Sequence, residues 1–370
     1  MYSESDLDAA VSGGALTAEQ AAQFRDFIAA ERRMPAVDEE HFRLLTGFND
    51  IFVGIAAAIL LVAIGWIGQT IPPRLDGDGP SLFAGLFVAA TAWGLAEFFT
   101  RKRRMALPSI LLLLAFTGGV FFTVLVGAVT MIGDDRFDNN GQAVALVMAF
   151  AAAIACGATW AHWRRFHVPV TVAAGAAAGV AVILGLIASV LVGSGGGGDL
   201  SFAQQERIET VMLSVALLLG VGTFVLAMRW DGSDPRRETR RSDVAFWLHL
   251  LAAPLIVHPI FSLLGLNEGH VSTMGAATAI LLYVLLGLVA LAVDRRALLV
   301  SALAYVLYAL NSLFETYGAV ELSVALTALV IGSALLLLSA FWTSARRAVV
   351  TPLPDGLKLR LPVVDRTAAA

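Results

Sequence analysis

Residues 50–71, DIFVGIAAAILLVAIGWIGQTI, carry no charge after Asp50 and form one nearly unbroken apolar run. The hydrocarbon core of a bilayer is about 30 Å thick and an α-helix rises about 1.5 Å per residue, so about 20 apolar residues cross it. A helix in the core of a soluble protein rarely stays apolar over this length. The run therefore predicts a membrane-spanning helix.

Nine further apolar runs of similar length follow. With the first, their predicted limits are 50–71, 81–100, 106–132, 143–163, 168–193, 210–229, 244–265, 274–293, 297–314 and 323–342. The 370 residues are 58% hydrophobic and 15% charged, with a mean hydropathy of +0.78, whereas soluble domains are about 25% charged. We therefore expect an all-α, polytopic transmembrane helix bundle of about ten spans.

The basic residues indicate how this bundle is oriented, because cytoplasmic loops are enriched in Lys and Arg. With the N-terminus inside, the inner segments hold 22 of the 25 basic residues, and the outer loops keep only Arg74, Arg136 and Arg207. This distribution predicts that both termini are cytoplasmic. It also predicts contact with anionic lipid at the cytoplasmic face. Nucleic acid is not an expected partner, since topology already accounts for the arginine clusters.

Two segments lie outside the predicted membrane domain of residues 48–342. In residues 1–47, Thr17 and Gln20 form a predicted capping box at the start of a short amphipathic helix. We expect a small cytoplasmic helical pair that docks on the membrane domain, on a partner or on a second copy of the chain. Residues 343–370 are expected to form a flexible cytoplasmic tail.

The N-terminal pattern has a recognisable form. GALTAEQAAQFRDFI at 14–28, followed by DEEHFRLLTGFNDIFVGIAAAILL at 38–61, resembles uncharacterised bacterial inner-membrane proteins that place a small helical domain before a multi-span region. The similarity extends loosely through AFWLHLLAAPLIVHPIF at 245–261 and DRRALLVSALAYVLYAL at 294–310. The resemblance implies the bacterial inner membrane as the location. It assigns no catalytic or transport residue.

Ionisable residues inside spans are costly, so each is a candidate for function. Glu97 lies four residues before Arg101, and an i,i+4 ion pair near the interface is sufficient to explain it. His249 and His258 lie nine positions apart in one span, where an unbroken helix points them to opposite faces, so they cannot share a metal ion. A haem would need a second histidine at matching depth, and only His162 roughly matches His249.

The same span contains two prolines. Pro254 lies between the two histidines and Pro259 directly follows the second one. Each proline removes a backbone hydrogen bond, so we expect this helix to be kinked or discontinuous. Discontinuous helices at membrane depth are common in transporters.

The ninth span carries a narrow polar stripe along one face. Its residues are Ser301, Tyr305, Tyr308, Asn311, Ser312 and Glu315. Such a stripe must face protein or water, and interhelical hydrogen bonding alone is one interpretation. In the other interpretation the stripe and the His258 and Ser262 face of the seventh span line a path for a solute or a proton.

Three functional hypotheses follow from these features. The first is a secondary transporter or permease for a small solute, in which any proton linkage would involve His258, Tyr308 and Glu315. The second is a non-transporting scaffold or sensor that acts through its cytoplasmic N-terminal helices. The third is a membrane enzyme or haem protein. Since we find no nucleophile and base pair, metal-ligand spacing or cofactor motif, we expect no enzyme activity and assign no catalytic residue, metal or cofactor.

Overall fold

The computed structural model describes residues 4–31, 48–75, 77–133, 140–193, 201–234, 239–266, 273–316, 322–358 and 361–362. Within these ranges the regular elements are helices, apart from an isolated antiparallel bridge between Arg74 and Ser81. They are α1 (Glu4–Ser12), α2 (Ala18–Glu31), α3 (Phe48–Gln69), α4 (Leu82–Phe99), α5 (Ala106–Ile132), α6 (Gly141–Phe166), α7 (Val170–Gly193), α8 (Phe202–Gly232), α9 (Arg240–Leu263), α10 (Thr273–Val293), α11 (Ala297–Thr316), α12 (Ser323–Ala340), α13 (Trp342–Val350) and α14 (Asp355–Lys358).

The helices α1 and α2 belong to a small unit of their own. The capping box is present, because the Thr17 backbone N–H donates to Gln20 Oε1 at 2.9 Å and the Gln20 backbone N–H donates to Thr17 Oγ1 at 3.1 Å. Gly14 joins the two helices with a φ of +73°, a conformation that glycine adopts without strain. Leu7 of α1 and Ala21 of α2 are buried.

The second unit, Arg43–Pro362, contains ten helices long and apolar enough to cross a membrane among the described residues, α3 to α12. They confirm the predicted ten-span, all-α architecture, and the chain is an integral, multi-pass membrane protein. The largest difference between a predicted span and the observed helix is at α8, which has 31 residues where the apolar run covers only 210–229. It begins before the apolar run because Ser201 and Gln204 form a capping box that starts the helix in its polar turns.

The two groups of five spans are packed differently. In the first group α5 packs against α3, α4, α6 and α7, so the third helix is central. In the second group α11 packs against α9, α10 and α12, so the fourth helix has that role. The groups meet where α7 packs against α8 and α9. This difference gives no support to an inverted repeat, in which equivalent helices would make equivalent contacts.

The arginine-bearing ends of α4, α6, α8 and α9 lie together at one end of the bundle. Arg165 at the end of α6 contacts Glu97 at the end of α4. Trp163, Trp230 and Trp247 pack around one buried cluster, which joins α6, α7, α8 and α9. We call this the arginine-bearing end. The grouping is the one that the alternating charge pattern predicts, and its assignment to the cytoplasmic side stays a prediction.

Two glycines allow α4 and α5 to approach closely. A Cβ added at Gly85 would lie 2.6 Å from the Gly119 carbonyl oxygen, and a Cβ added at Gly119 would lie 2.7 Å from the Gly85 carbonyl oxygen. Both distances are shorter than real Cβ contacts, so the two backbones touch only because neither residue has a side chain. Small residues at such crossings are typical of membrane helices.

Gly85→Ala and Gly119→Ala are each expected to lower the free energy of unfolding by about 1–3 kcal/mol, the usual cost of overpacking. Unfolding of the detergent-solubilised protein, followed by circular dichroism, measures this loss. Gly94→Ala and Gly118→Ala are matched controls, since a Cβ at either position meets no atom within 4 Å. Because alanine favours the helix, the controls should be neutral or stabilising. Equal losses at all four positions would contradict the prediction.

The segment after residue 342 differs from the flexible tail that the sequence predicts. It begins with α13, in which Trp342, Arg346 and Val350 are buried. Trp342 belongs to a core cluster that includes Leu291 and Leu298 of α10 and α11. The helix α13 packs against the bundle through one buried face. It is too short and too polar to be recognised in the sequence as a membrane-spanning run.

Candidate functional site

A histidine of α9 and a tyrosine of α11 form a direct contact. Nδ1 of His258 lies 2.7 Å from the hydroxyl oxygen of Tyr305. The Tyr305 ring packs on Phe261, one turn further along α9, with the ring centroids 4.5 Å apart. His258 is exposed and Tyr305 is half-buried. The structure thus brings the His258 face of α9 together with the polar stripe of α11.

The other residues of the predicted path lie in different environments. Ser262 and Ser301 are half-buried, and Ser312 is buried. Tyr308 is 44% exposed. Asn311 Nδ2 donates to Glu315 Oε1 at 2.9 Å, and Glu315 is exposed. The stripe therefore extends from the packed interior of the protomer to its surface.

Three buried polar atoms on α10, α11 and α12 have no hydrogen-bond partner among the described residues. They are Tyr283 Oη, Asn311 Oδ1 and Thr327 Oγ1. Tyr283 packs against the same apolar cluster as Tyr305. A buried polar atom without a partner costs about 1–3 kcal/mol, so such atoms are normally satisfied by water or a ligand. Sequence reasoning missed Tyr283 and Thr327, because isolated hydroxyls in apolar runs produce no periodic pattern.

The sequence predicts that the two prolines leave α9 either kinked or discontinuous; the discontinuous alternative is wrong, and a kink at Pro254 and Pro259 stays a prediction. Arg240–Leu263 is continuous, with Pro254 exposed and Pro259 buried. Pro259 has no N–H for the carbonyl of Leu255, four residues earlier. Gly220 of α8 lies against this point, since a Cβ added there would be 2.8 Å from the Leu255 carbonyl oxygen. Close contact with α8 therefore covers the backbone that the proline leaves without its helical bond.

A buried ionic cluster joins α8, α9 and the turn between α10 and α11. His249 Nε2 lies 3.0 Å from Asp231 Oδ2, and Arg295 Nε donates to the same oxygen at 3.2 Å. Arg295 Nη2 contacts Asp231 Oδ1 and also donates to the Ser242 carbonyl oxygen at 3.2 Å. His249 is 0% exposed, and Asp231 and Arg295 are each 2% exposed. The Phe224 ring packs edge-on against His249, with centroids 5.1 Å apart.

A second buried pair adjoins this cluster. Asp294 has a φ of +60°, which lets it occupy the tight turn before α11. Its Oδ1 accepts from Trp342 Nε1 at 2.8 Å and lies 3.6 Å from Arg346 Nε. Arg346 Nη2 donates to the Pro362 carbonyl oxygen at 2.6 Å. Arg296 lies over the Trp342 ring, 4.9 Å from its centroid. The three-residue turn 294–296 thus connects α8, α9 and the C-terminal segment.

Sequence reasoning assigned Arg295 and Arg296 to membrane topology alone and did not find Asp231 or Asp294 as partners. The positive-inside rule explains basic residues at helix ends equally well whether they are buried or exposed. One available signal was the acidic residue next to them, because Asp294 directly precedes the arginines in a turn too short to be well solvated.

In the first group of spans Glu97 forms a two-arginine cluster. Arg101 Nη1 donates to Glu97 Oε2 at 3.3 Å, the i,i+4 contact that the sequence spacing predicts. Arg165 also donates from Nε and Nη2 to the two carboxylate oxygens at 2.6 and 2.9 Å, a bidentate pair that sequence spacing could not predict. Because all three side chains remain partly exposed, the contact is a link between the ends of α4 and α6.

Each of the two histidines considered for haem ligation has one ring nitrogen in contact with another side chain. His249 lies in the ionic cluster described above. His162 is fully buried, with Nδ1 3.3 Å from Thr171 Oγ1 and its ring packed against Trp93, Phe116 and Phe166. Among the described residues, no group of three or more His, Cys, Asp or Glu residues is arranged to hold a metal ion.

Comparisons with protein-family models, with curated protein sequences and with solved structures found no match to this chain. The class that the fold defines is a ten-span helical integral membrane protein. The polar groups of α9 to α12 are the features of this fold that bear on a more specific function.

Proposed function

We propose that this protein is a proton-linked secondary transporter or permease for a small solute, located in the bacterial inner membrane with both termini in the cytoplasm. The observation that carries the proposal is the polar region of α9, α10 and α11. It combines the contact between His258 and Tyr305 with the buried, unpartnered oxygens of Tyr283 and Asn311. Such oxygens favour a lining that water or a solute completes.

The exposure of the stripe supports the same function. A phenol such as Tyr308, which is 44% exposed, is an unfavourable lipid-facing group within a span. It becomes favourable if this face borders water for at least part of a transport cycle. Proton linkage is assigned to His258, because protonation of Nδ1 would remove its ability to accept a hydrogen bond from Tyr305.

The two histidines also favour α9 as the moving helix. His258 contacts the stripe, while His249, on the same helix, belongs to the ionic cluster with Asp231 and Arg295. A displacement of α9 would therefore change both contacts. Each contact is a discrete pairing that is either made or broken, as a two-state element requires.

Cysteine labelling tests whether water reaches the polar region. In a Cys156→Ala background, His258→Cys and Tyr308→Cys are expected to react with a membrane-impermeant thiol reagent at a rate within about tenfold of an exposed position at a helix end, such as Arg207→Cys. The background removes the only cysteine of the chain. The rate of labelling in sealed vesicles, with reagent added to one side or the other, is the measurement.

Val330→Cys is the matched control, because Val330 of α12 is 48% exposed, close to the 44% of Tyr308. Its side chain is expected to face lipid and to resist the reagent. Protection of both test positions from both sides, with Arg207→Cys still reactive, would contradict a water-accessible path. Labelling of Val330→Cys at the same rate would show that the reagent enters the bilayer.

A second candidate function is a scaffold or sensor that acts through the N-terminal helices. The observation that favours it is Phe27 of α2, which is 63% exposed within the described residues. This aromatic side chain is accessible to a partner. This function predicts that Phe27→Ser abolishes capture of a partner and leaves cysteine labelling at Tyr308 unchanged.

A further inference from the structure

A pocket of about 740 Å³ lies at the arginine-bearing end of the bundle. Its described lining comes from the last turns of α8 and α10 and from the C-terminal segment. The lining residues are Phe224, Val225, Met228, Arg229, Gly232, Ala292, Leu353, Leu357 and Leu361. This volume is within the range of about 300–1,000 Å³ that is usual for small-molecule sites. Phe224 also separates the pocket from His249.

The C-terminal segment forms one wall of the pocket through leucines spaced four residues apart. Leu353, Leu357 and Leu361 all line it, so the apolar side of the segment faces the bundle. Arg346 holds the segment in place, because it donates to the Pro362 carbonyl oxygen and pairs with Asp294. The wall is therefore part of the fold rather than a loose covering.

The described lining of the pocket carries positive charge only. Arg229 is the only charged residue in the described lining, and it is exposed. It has no ion-pair partner among the residues that the structure describes. An apolar interior with one unneutralised guanidinium at its edge is complementary to an acyl chain that carries an anionic head group.

We propose that this pocket binds an anionic membrane phospholipid, with an acyl chain among Phe224, Met228 and Leu357 and the phosphate at Arg229. The position fits a lipid, since the pocket lies where membrane-spanning helices end and where an arginine can reach the head-group layer. The proposal does not depend on whether the protein transports a solute.

Native mass spectrometry of the full-length, delipidated protein in a neutral detergent tests the site. With equal amounts of phosphatidylglycerol and phosphatidylcholine of identical acyl chains, we expect at least fivefold more bound phosphatidylglycerol. Arg229→Gln should reduce this preference to twofold or less. Arg207→Gln, which removes an exposed arginine of the same helix outside the pocket, should leave the preference intact.

Filling the pocket should reduce binding of both lipids. Gly232→Leu is expected to lower phosphatidylglycerol binding at least fivefold, because Gly232 lines the pocket and an added Cβ meets no atom within 4 Å. Gly222→Leu is the matched control on α8, since its Cβ also meets open space but the residue is not part of the lining. Leu357→Gln, at an exposed position of α14, tests the site independently if Gly232→Leu does not fold.

Three results with the two phospholipids alone would overturn the proposal. These are equal binding of the two phospholipids to the unaltered protein, an unchanged preference in Arg229→Gln, or unchanged binding in both Gly232→Leu and Leu357→Gln. A competition experiment with an equimolar amount of oleate distinguishes a phospholipid from a free fatty acid as the ligand. Displacement of phosphatidylglycerol by oleate would assign the pocket to free fatty acids instead, whereas retention of the phospholipid supports the site as proposed.

Discussion

Asp231→Ala is expected to lower the free energy of unfolding by about 3–5 kcal/mol, because removal of one partner of a buried ion pair leaves the other charge uncompensated. Asp231 is the acceptor that Arg295 and His249 share, and all three side chains are almost fully buried. Without the Asp231 carboxylate, the Arg295 guanidinium would remain buried between α8 and α9. Among the described residues, its remaining hydrogen-bond acceptor would be the Ser242 carbonyl oxygen. Chemical unfolding of the detergent-solubilised protein, followed by circular dichroism, measures the loss.

A compensating substitution separates charge from packing. Asp231→Ala combined with Arg295→Met removes both charges, and replacing a buried ion pair by apolar residues is often close to neutral. The double variant should therefore regain most of the stability that Asp231→Ala loses. Glu206→Ala, an exposed acidic position on the same helix, should change stability little. A double variant that is less stable than Asp231→Ala would show that Arg295 stabilises the fold through contacts other than this pair.

The helical architecture could be predicted from the sequence because each span is defined locally. An apolar run of about 20 residues has few alternatives in a membrane, since only a helix satisfies its own backbone within the segment. Helix limits differ from the predicted ones where polar residues cap a helix, as at Ser201. The continuous α9 could not be predicted, because the contact of Gly220 with the backbone at Leu255 depends on how α8 packs.

The candidate site could be predicted only where residues repeat along one face. The stripe of α11 has such a repeat, and its contact with His258 follows from two polar faces in adjacent helices. The ionic cluster has no local pattern, since Asp231 and Arg295 are 64 positions apart. The burial of Arg346 could not be predicted either, because an arginine after the last span is expected at a cytoplasmic surface and not in a core.

Arg346→Met is expected to destabilise the protein by about 3–5 kcal/mol, since it removes the cation from a buried pair with Asp294. It also removes the donor to the Pro362 carbonyl oxygen, so the C-terminal segment should become sensitive to protease. Chemical unfolding gives the stability, and limited proteolysis with an antibody to the C-terminus reports the segment. Arg347→Met is the matched control, because Arg347 is the next residue of α13 and is exposed.

The turn residue Asp294 allows the two roles of Arg346 to be separated. Asp294→Asn keeps the left-handed turn, which asparagine tolerates, and its side-chain oxygen can still accept from Trp342 Nε1. Combined with Arg346→Met, it removes the uncompensated carboxylate, so stability should recover while the bond to Pro362 stays lost. The double variant should then be stable in its spans but cleaved in the C-terminal segment. If protease resistance returned together with stability, Asp294 and not Pro362 would be the contact through which Arg346 orders the segment.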